Sequence, residues 1–160
     1  MIASDIMTTK VSCLAPEDKV GAAVDLFFEK GVRQIPVVNK DNAIVWVVTS
    51  NILLKTLLPF YITEGFIKDV GFAPELPQFV KKLEELKDKS IEALMKELKA
   101  AADYAVVSPD TTVMEIAAML INDEKRVSLI LVGDGRKRLL GIISPVDVFR
   151  SVWTLAKAKK

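Results

Sequence analysis

The chain repeats itself, and this repeat restricts the possible folds more than any other feature of the sequence. The stretch 14–57 shows the same order of motifs as the stretch 107–152. Pro16 aligns with Pro109 at a spacing of 93 residues, and an insertion near Lys125 lengthens the spacing to 95 in the second half of each copy. Two similar halves in one chain of 160 residues predict two small units built on a common plan.

Each copy is predicted to fold as strand, helix, two strands and helix. The strands are expected at 11–14, 33–38 and 43–48, and again at 104–107, 128–132 and 138–143. The helices are expected at about 18–30 and 50–58, and again at about 112–124 and 145–157, with a capping box formed by Thr112 and Glu115. A copy of this size buries too little apolar surface to be stable alone. We therefore predict an α/β (α+β) fold in which two pseudo-twofold-related β-α-β-β-α repeats pack sheet to sheet.

A joint separates the copies, so that residues 1–60 form the first repeat, 61–88 the joint and 89–160 the second repeat. The charged, helically periodic sequence from 77 to 98 predicts that the joint is an ordered helical segment. One interpretation is a connector helix that covers the core. The other is a surface for dimerisation or partner docking, built on aromatic residues such as Phe60, Tyr61 and Phe66.

The composition excludes several classes of protein. Cys13 is the single cysteine and there is no histidine, so an intramolecular disulfide, a Cys/His zinc site and a histidine-based catalytic triad are all excluded. The sequence contains no Walker loop, paired-carboxylate motif or nucleophile–base pair. We predict a protein that is not an enzyme and has no bound metal.

The distribution of charged and apolar residues points to a cytoplasmic protein. No apolar run is long enough to span a bilayer, and the N-terminus does not resemble a secretory signal. The 22 basic residues balance 21 acidic residues, and aromatic residues are few, which argues against a nucleic-acid partner. Residues 136–160 nevertheless carry seven basic side chains and one acid, Asp147. This stretch is either a solvated helix end or a surface that attracts phosphate.

The motif Ser144–x–x–Asp147, with Pro145 between, stands at the start of an apolar helix. By spacing alone it is a helix cap, with serine at the N-cap, proline at the first helical position and aspartate at the third. The same hydroxyl and carboxylate could also hold a polar ligand, because each has several lone pairs. The spacing leaves both interpretations open.

The layout resembles a tandem pair of cystathionine β-synthase (CBS) domains, also called a Bateman module, of the stand-alone type. The residues that carry the resemblance are VSPDTTVMEIAAMLI, GVRQIPVV and LLGIISPVDVFRSV, with the lead-in helices ASDIM and KSIEALM. The resemblance implies a regulatory module that binds an adenosine nucleotide (AMP, ADP or ATP) in a cleft between the repeats. S-adenosylmethionine and NAD are less expected, and no other cofactor is implied. It also implies a homodimer that acts on an unknown regulated protein, without a membrane partner.

Carried over residue by residue, the resemblance implies one competent ligand site. Its residues would be Val11, Ser12, Arg33, Gln34, Pro36, Gly141, Ile142, Ser144, Val146 and Asp147. Asp147 would hold the ribose and Arg33 the phosphate. The equivalent site of the other cleft has Ile52 in place of the aspartate and Trp46 in place of the glycine, so we predict one nucleotide per chain. The alternative is a ligand-free scaffold for dimerisation or protein interaction.

Overall fold

The computed structural model describes residues 1–65, 76–99, 104–122 and 129–159. Its helices and strands follow the predicted order in the second copy, and in the first copy apart from the strand expected at 11–14. The helices are α1 (Ala3–Ile6), α2 (Val20–Lys30), α3 (Ser50–Leu57), α4 (Phe60–Thr63), α5 (Leu76–Lys87), α6 (Ile91–Leu98), α7 (Val113–Leu120) and α8 (Pro145–Ala158). The strands are β1 (Gln34–Val38), β2 (Ile44–Thr49), β3 (Ala105–Val107), β4 (Ile130–Gly133) and β5 (Leu139–Ile143).

The chain forms two compact units, and neither unit coincides with one repeat. The first contains Met1–Cys13, Pro36–Val47 and Ala101–Lys160, and the second contains Leu14–Ile35 and Val48–Ala100. Each unit therefore takes segments from both copies. No helix in the described part of the chain is long and apolar enough to cross a membrane.

The first unit is built on a three-stranded sheet in the order β3-β4-β5. β3 is parallel to β4, and α7 lies between them in the chain, as a crossover connection requires. β5 is antiparallel to β4. Alternate residues face opposite sides of this sheet. Ile130, Val132 and Ile143 join a core cluster with Ala3 of α1 and Ile116 of α7.

The other face of this sheet packs against the hairpin β1-β2. Leu131 and Leu139 form a second cluster with Ile44 and Val47 of β2. Strands of the two copies thus meet through apolar side chains inside the first unit. This is the predicted sheet-to-sheet packing.

The two β-hairpin turns are equivalent and lie against each other. The N–H of Asn39 donates to the carbonyl of Ala43 at 2.9 Å, and the N–H of Asp134 donates to the carbonyl of Arg138 at 3.1 Å. Between the turns, Ile44 donates to the carbonyl of Lys137 at 2.9 Å and Leu139 donates to the carbonyl of Asn42 at 3.0 Å. Each bond is the other shifted by the 95-residue spacing, so a local twofold axis passes between the turns.

The two lead-in helices are exchanged between the copies. The N–H of Ala3 in α1 donates to the carbonyl of Thr111, which precedes α7 of the second copy, at 2.8 Å. The N–H of Ile91 in α6 donates to the carbonyl of Asp18, which precedes α2 of the first copy, also at 2.8 Å. Each lead-in helix is therefore bound to the opposite repeat.

The connector helix α5 packs on α2 and α3 within the second unit. Leu86 is 4% exposed, and a Cβ added to Gly21 of α2 would lie 3.2 Å from the carbonyl oxygen of Lys87. The interpretation of the joint as a helix that covers a core agrees with this packing. Phe66 lies outside the described residues.

Two predicted element boundaries are wrong. No strand forms at 11–14, where Leu14 makes an isolated bridge. Val11 and Cys13 are half-buried on the Ile44 cluster, but this segment does not pair along its length with another strand. Helix α7 ends at Leu120, before the predicted 124, because Ile121 leaves helical geometry with ψ at 1°. The predicted strand start at 128 lies outside the described residues. The predicted capping box of Thr112 and Glu115 is confirmed.

Candidate ligand site at the start of helix α8

The candidate site is centred on Asp147, in the first turn of α8. Strand β5 ends at Ile143, Ser144 is extended, and Pro145 opens the helix at a position that needs no N–H donor. Asp147 is 9% exposed and is the single buried charged side chain among the described residues. A buried carboxylate requires donors close by.

One oxygen of this carboxylate is firmly held. Oδ2 of Asp147 accepts from the backbone N–H of Ser144 at 2.8 Å and from its hydroxyl at 2.7 Å. The carboxylate therefore caps the helix by reaching back to the N-cap residue, as the spacing predicted. The two short bonds also fix the direction of the other oxygen.

The second oxygen is held more weakly. Oδ1 of Asp147 accepts from the hydroxyl of Thr8 at 3.3 Å and from Nη1 of Arg150 at 3.4 Å. Both distances lie beyond the usual range for their bond types. Arg150 is also 72% exposed, so its ion pair with the carboxylate is largely screened by water. Oδ1 is the oxygen that an incoming donor can reach at the lowest cost.

Gly141 allows the N-terminal segment to lie against β5. Thr8 and Ile142 exchange two backbone hydrogen bonds, of 2.9 and 3.0 Å, so residue 8 extends the edge of the sheet. A Cβ at Gly141 would lie 2.8 Å from Sδ of Met7 and 2.9 Å from the carbonyl oxygen of Thr8. The glycine is thus required by the approach of the chain's own backbone, and this approach brings Thr8 to Asp147.

The structure brings part of the predicted site together. Gly141, Ile142, Ser144, Val146 and Asp147 follow one another through the end of β5 and the start of α8, with Val146 62% exposed. In the same unit, Val11 and Ser12 are half-buried in irregular chain, and Pro36 is fully buried in β1.

Arg33 and Gln34 belong to the second unit. Arg33 is exposed and its carbonyl accepts from the N–H of Ser50, while Gln34 is the first residue of β1. Their assignment to the ligand site remains a prediction.

Two residues of the site were missed by sequence reasoning. Thr8 donates to Asp147 across a separation of 139 residues, and nothing in its local sequence indicates that contact. Arg150 could have been found, because residues three apart on a helix lie on the same face.

The equivalent position in the first copy has different chemistry. The hydroxyl of Thr49 accepts from the N–H of Ile52 at 3.0 Å, which caps α3 without any carboxylate. Trp46, which aligns with Gly141, is 3% exposed. A bulky buried indole therefore stands where the second copy has a glycine.

A repeated α+β unit with exchanged lead-in helices and a capped hydroxyl–aspartate motif defines a tandem module of two related repeats. The family model for the CBS domain matches this chain twice, at residues 3–58 and 91–154. The chain belongs to the CBS domain family.

Solved structures of CBS proteins share the fold over nearly the whole chain. CBSX2 from Arabidopsis thaliana is 20% identical, with a TM-score of 0.71, and the match covers 98% of this chain and 96% of that one. CBSX2 in complex with AMP is 22% identical, with a TM-score of 0.69, and the match covers 97% and 98%. A CBS domain-containing protein of unknown function from Kribbella flavida is 19% identical, with a TM-score of 0.71, and the match covers 96% and 99%.

A search of curated protein sequences finds no match. The solved structures therefore support the fold, and the arrangement around Asp147 must support any proposal about the ligand.

Proposed function

We propose that this protein is a regulatory, non-catalytic CBS pair that binds an adenosine nucleotide at Asp147. The observation that carries the proposal is the asymmetry of this carboxylate. Oδ2 is fixed by two bonds of 2.7 and 2.8 Å, while Oδ1 accepts two longer bonds of 3.3 and 3.4 Å. Oδ1 therefore keeps acceptor capacity that the helix cap does not use.

The ribose diol of a nucleotide suits this oxygen. A ribose hydroxyl would donate to Oδ1 of Asp147 and replace the long bond from Arg150, which can turn into solvent because it is 72% exposed. Thr8 would remain beside the carboxylate as a second hydroxyl partner. Hydrogen bonds to a charged acceptor contribute about 1.5 to 3 kcal/mol, which is enough to select a ribose over a molecule without one.

Two arginines are proposed as cations for the phosphate, each for a different reason. We propose Arg150 as one of them because it contacts the carboxylate that would hold the ribose. Arg33 follows from the family resemblance and is proposed on the sequence alone. The AMP bound by CBSX2 supports the choice of an adenosine nucleotide, and we propose AMP, ADP or ATP.

We propose one nucleotide per chain. The first copy offers Ile52 and the buried Trp46 where the second copy offers Asp147 and Gly141. An aliphatic side chain cannot accept hydrogen bonds from a ribose.

Isothermal titration calorimetry with AMP, ADP, ATP, S-adenosylmethionine and NAD tests the proposal. We expect an adenosine nucleotide to bind with a stoichiometry near one per chain. In a separate titration with adenosine as the phosphate-free control, Arg33→Ala should weaken ATP more than adenosine. Two comparable sites per chain would contradict the single-site proposal. Absence of binding by all five compounds would favour a ligand-free scaffold.

We also propose a homodimer that uses the exposed face of α8. Val146, Phe149 and Trp153 are 62%, 75% and 65% exposed and follow one another at helical spacing. Met114 of α7, which packs on α8, is 79% exposed. An apolar surface of this kind marks an interaction site.

Sedimentation equilibrium tests the dimer. Phe149→Glu places a charge in the apolar face and is expected to yield monomer, whereas Thr154→Glu places the same charge at another exposed position of α8 and should leave the dimer intact. A monomeric parent protein would refute the proposal.

A further inference from the structure

A cleft lies between the two hairpin turns, and the proposed nucleotide site uses none of its residues. It has a volume of about 950 Å³ and is open to solvent. Lys40 and Ala43 line it from the β1-β2 turn, and Arg136 and Arg138 line it from the β4-β5 turn. Small-molecule sites typically have volumes of about 300 to 1,000 Å³, so the cleft is large enough for a small ligand. We call it the turn cleft.

The turn cleft is rigid at its base. Asn39 accepts from the N–H groups of Asp41 and Ala43, both at 3.0 Å, while Asp134 accepts from those of Arg136 and Arg138, both at 2.9 Å. The backbone bonds across the local twofold axis then join the two turns. The walls are therefore held in place before any ligand arrives.

The carboxylate of Asp134 already accepts hydrogen bonds from groups of its own turn. Besides the two N–H groups, its carboxylate accepts from Nε of Arg138 at 2.6 Å. The same bonds lower the pKa of Asp134, first through the N–H of Arg138. This carboxylate stays ionised and directs Arg138 without leaving an unpaired negative charge on the wall.

At two aligned positions of the turns, the second copy has cationic residues and the first copy does not. At the 95-residue spacing, Arg136 replaces Asp41 and Arg138 replaces Ala43. Ala43 leaves room in front of the cationic wall, and Lys40 faces it from the other turn. Within the described residues, the side chains of Lys40 and Arg136 form no ion pair.

We propose that the turn cleft binds a compact polyphosphate anion, held by Lys40, Arg136 and Arg138. A guanidinium group presents its N–H donors in a planar fork that matches phosphate oxygens, and an ammonium group adds a point charge. The site is exposed, so binding depends on salt. Inorganic pyrophosphate and the phosphate tail of a nucleotide share this chemistry. The acidic Asp41 beside Lys40 limits the affinity.

Titration of the full-length ¹⁵N-labelled protein with pyrophosphate at low salt tests the proposal by amide shifts. We expect shifts in residues 39–43 and 134–138, and about three- to fivefold weaker binding in Lys40→Ala and Arg136→Ala, as expected for exposed charge pairs worth up to about 1 kcal/mol. Asp41→Asn should strengthen binding by a similar factor.

The matched control is Lys137→Asn. Lys137 belongs to the same turn but does not line the cleft, and asparagine tolerates its φ of 59°, as Asn42 does at 61° in the other turn. The proposal is overturned if Lys137→Asn weakens pyrophosphate as much as Arg136→Ala, because the effect would then be general attraction to a basic surface. Equal binding in Arg136→Ala and the parent would also overturn it.

AMP and ATP distinguish binding of free pyrophosphate from binding of the phosphate tail of a nucleotide. Asp147→Ala should leave pyrophosphate binding unchanged, and Arg136→Ala should leave AMP binding at Asp147 unchanged. If ATP, but not pyrophosphate, shifts the turn residues, and Asp147→Ala removes those shifts, the turn cleft is not an independent site and the proposal fails.

Discussion

The hydroxyl of Thr8 lies 3.3 Å from Oδ1 of Asp147 and donates to it, although 139 residues separate the two in the chain. The N-terminal segment brings this hydroxyl to the helix start by pairing with Ile142. The candidate ligand site is therefore completed by the segment that carries Thr8. Changes in that segment are expected to affect both ligand binding and stability.

Asp147→Ala distinguishes a nucleotide sensor from a scaffold. Loss of a charged acceptor for the ribose should reduce nucleotide affinity about ten- to a hundredfold. Loss of the cap should also lower the free energy of unfolding by about 1 kcal/mol. Asp147→Asn keeps one acceptor and should lose less affinity. Calorimetry with urea unfolding measures both effects, and unchanged affinity in the alanine variant would mean that Asp147 only caps α8.

Thr8→Val tests whether the N-terminal segment contributes to the ligand site. Valine is nearly isosteric with threonine and preserves the backbone pairing with Ile142, but it removes the hydroxyl that donates to Asp147. We expect nucleotide affinity to fall severalfold, while the free energy of unfolding falls by about 1 kcal/mol or less. An affinity identical to that of the parent would exclude Thr8 from the site.

Gly141→Ala should destabilise the protein by about 1 to 3 kcal/mol through overpacking. The side chain of Met7 can move away from the added Cβ, but the carbonyl oxygen of Thr8, 2.9 Å away, is backbone engaged with Ile142. Gly135→Ala is the control, because no atom lies within 4 Å of its added Cβ. Urea unfolding should show a loss for the first variant alone, and equal stabilities would contradict the packing described at Gly141.

Asp134 is expected to make the turn sensitive to acid. Hydrogen bonds from Arg138 and Arg136 hold the pKa of this carboxyl below its ordinary value of 3.8. A carboxyl with a lowered folded-state pKa stabilises the protein above its unfolded-state pKa and loses that contribution as the pH falls through the folded-state value.

The comparison with Asp134→Asn isolates this effect. The side-chain oxygen of asparagine can still accept from the backbone N–H groups of the turn, as that of Asn39 does in the other turn, but the side chain cannot ionise. The parent should be the more stable protein at pH 7, and the difference in unfolding free energy should shrink as the pH falls below 3.8. A difference that is constant with pH would show that ionisation of Asp134 contributes nothing.

The order of elements was readable from the sequence because each signal was local. Apolar positions at helical spacing predict α7, and the Thr112–Glu115 box marks its start within one residue. The strand expected at 11–14 failed for a non-local reason. Its apolar residues do pack inward, but whether an extended segment becomes a strand depends on a pairing partner elsewhere in the chain.

The candidate site is likewise predictable from the sequence in its local contacts but not in its long-range contacts. Ser144 and Asp147 stand three residues apart, and their hydrogen bonds follow from that spacing. The contact with Thr8 could not be foreseen, because it depends on how the N-terminal segment pairs with β5. The role of Gly141 likewise depends on that segment, since the atoms nearest to its added Cβ belong to the side chain of Met7 and the backbone carbonyl of Thr8.

The exchange of the lead-in helices has a consequence for the birth of the protein on the ribosome. Residues 1–13 are synthesised before residues 14–160, yet their long-range backbone hydrogen bonds join them to Pro109, Thr111, Val113 and Ile142. This segment cannot form those long-range bonds until residues 109–142 have emerged from the ribosome. The second unit, which ends at residue 100, can assemble before then. Translation therefore allows the second unit to form before the unit that carries Asp147 is complete.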